Sequence, residues 1–144
     1  MNEETIFSEK ARHYVLCFSD ECQLRQHCLR RKLTRYVPAD ERLITCMNPR
    51  YREVADGHCI MFADDRKVRM ARGMMHLFDE MPATIAQRIS QTFIGRYSRK
   101  IFYSYRKGER LISPAMQRDI ADTLLAHGWK KPPLFDAFEE NYCW

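Results

Sequence analysis

Between residues 83 and 128 the chain alternates helix-forming runs with glycines, and this punctuation limits its fold more than any other feature. The run "ATIAQRISQTFI" (83–94) places Ile85, Ile89 and Phe93 on one helical face, and Gly95 predicts a stop. "SRKIFYSYRK" (98–107) is short, basic and aromatic, and Gly108 follows it. The next run carries both end signals of a helix. Ser113 suits the N-cap, Pro114 the first helical position, and Gly128 the place just past the end. Met116, Ile120, Thr123 and Leu124 form its apolar stripe. The order is helix, turn, short basic helix, turn, capped helix.

Weaker signals surround this core. Leu24, Cys28, Leu33 and Tyr36 recur near the helical period, predicting a helix over 22–36 that ends before Pro38. "RLITCM" (42–47) and "HCIMF" (58–62) are β-prone and are separated by turn residues, predicting a hairpin or strand pair. From Asp64, the steps Val68, Ala71, Met75 and Phe78 predict another helix, up to Pro82. Phe135, Phe138 and Tyr142 in the tail are expected to pack back on the body. The fold class is mainly α with a small β element. A cysteine-clustered lobe, 1–63, is expected to pack on a helical lobe, 64–144, whose segment 83–128 is helix-turn-helix-like.

Charge separates the two parts. Residues 1–64 hold ten Lys/Arg and ten Asp/Glu, whereas residues 82–110 hold seven Lys/Arg against Glu109 alone. A basic segment this concentrated suits a polyanion partner, the alternative being a solvated charged face.

Residues 97–129 resemble the second half of the helix-turn-helix domains of Cro-like and Lac-repressor-like DNA-binding proteins. The likeness runs through Tyr97, Ser98, Phe102, Tyr105, Lys107–Gly108, Ser113–Pro114 and Gly128–Trp129. The resemblance implies that Ser98 caps a recognition helix. It implies that Arg99, Lys100, Tyr103 and Ser104 face a DNA groove and that Phe102 and Tyr105 join the core. Arg106, Lys107 and Arg110 would lie near the phosphate backbone. The turn glycine of those families would fall at Arg96, one place after Gly95. A helix N-terminus also attracts phosphate, and Arg or Lys on such a helix reads guanine or neutralises phosphate.

The second chemistry-bearing feature is "LCFSDECQLRQHCLRR" (16–31), which holds Cys17, Cys22 and Cys28. With Cys59 they make the four thiolates of a tetrahedral zinc site. His27 and His58 stand as reserve ligands, and Cys46, inside an apolar run, is read as a core residue. In an unbroken helix Cys22 and Cys28 would not share a face, so convergence requires Cys22 to precede the helix. An iron–sulfur cluster is an alternative, and buried thiols without metal are another.

The chain also resembles a group of small proteins of Bacteroides-type bacteria with no assigned function. The match lies in the cysteines above, "RMARGMMHLFD" (69–79) and "YRKGERLISP" (105–114). No phosphate loop, zincin motif or nucleophile elbow is visible, so an enzyme is not expected. The polar start lacks a signal-peptide pattern and no run is long enough to span a bilayer, so the expected compartment is the cytoplasm, without membrane. A small DNA-binding regulator with a structural zinc is the first functional expectation. A protein–protein interaction module and an iron–sulfur or thiol redox-sensing regulator are the alternatives. A homodimer is expected, through Met74, Leu77 or the Phe135–Trp144 tail.

Overall fold

The computed structural model describes residues 1–51 and 59–144. Among these the protein is mainly α-helical with a small three-stranded antiparallel sheet. The chain divides into two compact units, Met1–Arg66 with Tyr142–Trp144, and Lys67–Asn141. The last three residues therefore join the first unit, whereas the sequence reading assigned the whole tail to the second lobe.

The first unit opens with α1 (Glu3–His13). Asn2 caps it by accepting from the Thr5 N–H at 2.9 Å, with Glu3 and Glu4 at the positive end of the helix dipole and Lys10, Arg12 and His13 at the negative end. Its apolar pair Phe7 and Ala11, one turn apart, is buried with Leu16, Leu29, Leu33 and Tyr142. Rings hold this cluster: Phe7 lies 5.0 Å from Tyr36, 5.4 Å from Tyr142 and 6.0 Å from Trp144, centroid to centroid. The expected helix over 22–36 is broken into a 3₁₀ turn at Arg25–His27, a single α-turn α2 (Leu29–Lys32) and a second 3₁₀ turn at Leu33–Tyr36. The break falls at Cys28, which is extended and forms an isolated bridge with Asp64. The Leu29 N–H donates to the Ala63 carbonyl at 2.7 Å, a bond that crosses the chain where a helix would use its own carbonyls.

The predicted strands at 42–47 and 58–62 do not form among the described residues. Cys46 makes one isolated parallel bridge with Leu16, and Cys59–Phe62 closes a turn. His58 and the Asp56–Gly57 turn lie outside the described residues.

The sheet lies instead in the second unit, in the order β2–β1–β3, with β1 (Val68–Arg72), β2 (Leu111–Ile112) and β3 (Ala137–Asn141). Ala71 of the central strand pairs with Ile112 on one side and Phe138 on the other. The helix predicted from Asp64 is thus corrected to a strand followed by turns. Gly73 ends the strand at φ +73°, and a Cβ there would collide with the Asp136 carboxylate, so only glycine fits. Asp136 uses that closeness to accept the Met75 N–H at 3.1 Å.

Three helices complete this unit, α3 (Ala83–Tyr97), α4 (Arg99–Arg106) and α5 (Pro114–Ala126), with α3 packed on α4 and α5 on β1. Ser113 caps α5 by accepting the Met116 N–H at 3.3 Å, with Pro114 in its first turn. Gly128, at φ +85°, follows its end, and the Trp129 N–H bonds back to the Leu124 carbonyl. Gly95 does not stop α3. Its exposed position has room for a side chain, and the helix runs on to Tyr97. The core holds Ala71, Met74, Leu77, Ile89, Phe93, Phe102, Ile112, Ile120 and Leu124. Met74 and Leu77 are 1% and 4% exposed, which withdraws them as the dimer contact expected from sequence.

Candidate functional site

Two places in the molecule gather chemistry-bearing side chains, one in each unit. In the first, Cys17, Cys22, Cys28 and Cys59 line a single cavity of about 20 Å³. That is the volume of one water-sized guest. Leu24, Met47, Met61 and Phe62 supply its apolar walls, and Arg25, Arg30 and Arg31 also line it. Cys22 and Cys28 are buried, and Cys17 and Cys59 half-buried. Cys46 and Cys143 are exposed, which corrects the reading of Cys46 as a core residue.

The convergence has a local cause. Cys22 precedes the first helical turn, as convergence with Cys28 required. Arg30 then ties the segments together. Its Nε donates to the Met61 carbonyl at 2.5 Å and its Nη1 to the Val15 carbonyl at 2.9 Å, while its backbone carbonyl accepts the Cys17 N–H at 3.1 Å. One arginine so draws the 15–17 and 59–62 segments against Cys28. Its guanidinium also lies 4.6 Å from the Tyr14 ring centre. Periodicity reads Arg30 as a solvated cation, and sequence reasoning missed this role. As placed, no three His, Cys, Asp or Glu side chains of the described residues form a metal-holding group. His27 is turned toward Asp65, 3.8 Å away.

The second place is α4 and its flanks. α3 and α4 meet at the single residue Ser98, in the left-handed region at φ 74°. Its N–H closes α3 on the Ile94 carbonyl, and its hydroxyl accepts the Ile101 N–H at 3.4 Å to open α4. A one-residue corner is shorter than the three or four residues that join a DNA-reading helix pair. Arg96 is drawn away from the basic surface, since it and the Tyr97 hydroxyl each bond Asp119 Oδ2 at 2.6 Å. The Tyr97 bond, with help from Arg96, holds the Asp119 carboxyl below its ordinary range.

Ser98, Arg99, Lys100, Lys107 and Arg110 are exposed, and none of these four cations forms an ion pair among the described residues. The other expected groove residues are placed differently. Tyr103 packs on Phe102 at 5.3 Å, and Ser104 donates to the Ile101 carbonyl. Arg106, expected near a phosphate backbone, lies 5.3 Å from the Phe78 ring centre, and its buried Nε has no hydrogen-bond partner among the described residues. The aromatic residues Phe78 and Phe102 compete for these side chains, so the accessible basic set is smaller than the sequence reading drew it.

The class of protein is a small, mainly helical chain with a thiol-lined cavity in one unit and an exposed basic helix in the other. Over residues 1–144 the chain matches the model of a family of unknown function (DUF6078), and it belongs to that family. Searches of curated proteins and of solved structures find no match. Among the described residues no helix is long and apolar enough to cross a membrane.

Proposed function

We propose that the chain is a nucleic-acid-binding protein, a small DNA-binding regulator that presents α4 and its flanks to duplex DNA. The observation that carries this reading is the set of exposed cations, Arg99, Lys100, Lys107 and Arg110, left without carboxylate partners among the described residues. A cation already paired has little left to offer a phosphate. An unpaired one releases counterions from the duplex when it binds, and that release drives association. Lys100 and Lys107 lie two turns apart, which puts them on one side of the helix. Ser98 leads that helix with its free N–H groups. Phe102, 1% exposed, anchors the opposite side in the core.

The test is duplex binding by the full chain over a salt series, with single-stranded DNA and duplex RNA as comparison ligands. Binding at low salt should weaken steeply as salt rises. The Arg99→Ala/Lys100→Ala pair should flatten the logarithmic slope by about 2, roughly one for each phosphate no longer neutralised. Negligible duplex binding at low salt, or an unchanged slope in the double variant, would sink this reading. Arg106→Ala should leave the slope as it is, because that side chain is engaged with Phe78.

A further inference from the structure

We infer that the thiol-lined cavity of the first unit is a zinc site, with Cys17, Cys22, Cys28 and Cys59 as its four ligands. This lies beyond the DNA reading and does not depend on it. Four of the six cysteines come from three separate segments and face one cavity, while the remaining two are exposed. Packing alone does not select thiols for one wall, because Ala, Val or Met fills an apolar gap as well.

Three further observations agree. The cavity, about 20 Å³, has room for one ion. Four thiolates around one divalent ion carry a net charge of about −2, and a tetrahedral all-sulfur set is the preference of zinc. Arg25 and Arg30 line that same cavity and offset the charge, while Arg31, also in its lining, is paired with Asp20. The Arg25 and Arg30 guanidiniums are held beside the thiols by backbone carbonyls: Arg25 by Cys22 at 3.1 Å, Arg30 by Val15 and Met61.

The thiols are not at ligand spacing as placed. Zinc–sulfur bonds of about 2.3 Å require the side chains to turn inward. The half-buried Cys17 and Cys59 have the most freedom to do so. On binding, each thiol gives up its proton as its sulfur forms a bond to zinc, so uptake releases protons and is favoured by rising pH.

The test uses the full chain without a His-tag, purified and kept reduced. Elemental analysis should find one zinc per chain. Replacement by cobalt(II) should give the strong visible bands of a tetrahedral, thiolate-bound ion. Cys22→Ser and Cys28→Ser should lose most of the bound metal, whereas Cys46→Ser and Cys143→Ser should retain it. Folded wild-type protein that takes up neither zinc nor cobalt overturns the inference, as does equal metal loss from the Cys46 and Cys143 variants. Bound iron with visible absorbance in the protein as purified overturns the assignment to zinc. Should the pocket variants fail to fold, the wild-type cobalt spectrum decides by itself.

Discussion

The two units use their cations in opposite ways. In the first unit Arg12 bonds Glu41 at 2.7 Å, Arg31 bonds Asp20 at 2.6 Å, Arg30 binds two carbonyls, and Lys32 lies over the rings of Phe7 and Tyr142. Much of its positive charge is engaged in holding irregular chain together, although Arg35, Arg42 and Arg50 are exposed without an ion pair among the described residues. In the second unit regular elements do that work, with Arg72 bridging Glu139 and the Gly108 carbonyl and Arg96 reaching Asp119. The cations of α4 are left over. What matters for a polyanion is the charge that remains unpaired after folding, and the near-neutral total of residues 1–64 conceals how differently the two units dispose of theirs.

The units differ equally in what keeps them folded. The second has sheet hydrogen bonds, capped helices and one apolar core. The first has one capped helix, α1, and beyond it short turns, a ring cluster and a cavity of thiols. Tyr142 shows how tightly that cluster closes: burial, reinforced by donation to Glu3, pushes its hydroxyl up to about 12.

The largest effect expected from this contrast rests on the inferred zinc and is read on metal removal. A structural zinc contributes on the order of 10 kcal/mol in small thiolate sites. Chelation should therefore open residues 1–66 to protease while 67–141 stays protected. Equal protection of both, in protein shown to have lost its metal, would break the comparison. Next comes Phe102→Ala, which should cost about 3–5 kcal/mol in denaturant unfolding through the cavity it leaves. That loss should be the same with and without chelator.

At Ser98 the two contributions of one residue separate. Ser98→Ala loses the cap and keeps the positive φ, and should cost about 1–2 kcal/mol. Ser98→Gly loses the cap and relieves the φ, and should cost less. Thermal melts of the pair give the order, and an alanine variant more stable than the glycine one would refute it.

The smallest effect is in acid. Asp119 titrates below its ordinary range when folded, so its stabilising contribution is complete above that range and fades as pH falls through the depressed folded value. The side chain is 43% exposed, which keeps the effect small. Asp119→Asn should flatten the acid limb of a stability–pH curve, with slightly lower stability near neutrality and the two proteins alike in acid. An unchanged acid limb would mean that the bonds from Arg96 and Tyr97 do not persist in solution.

What was legible in the sequence was whatever local chemistry decides. The caps of α5 and the apolar face of α3 follow from spacing and side-chain type, because a helix satisfies its own backbone, whereas the burial of Phe102 was implied by the resemblance. The mainly helical class followed from the same signals; the small β element was expected at 42–47 and 58–62 and forms instead from Val68–Arg72, Leu111–Ile112 and Ala137–Asn141. Local pattern failed wherever the backbone needed a distant partner. Val68–Arg72 has a helix-like spacing and becomes a strand because Leu111–Ile112 and Ala137–Asn141 supply its hydrogen bonds. The β-prone 42–47 run has no such partner among the described residues beyond the bridge to Leu16. The four thiols could be named from their positions in the chain. Their shared cavity depends on Arg30 bonding carbonyls 15 and 31 residues away. Sequence also counted the cations of the basic segment. Tertiary packing selected which stay available, because Phe78 and Asp119 stand where Arg106 and Arg96 reach them.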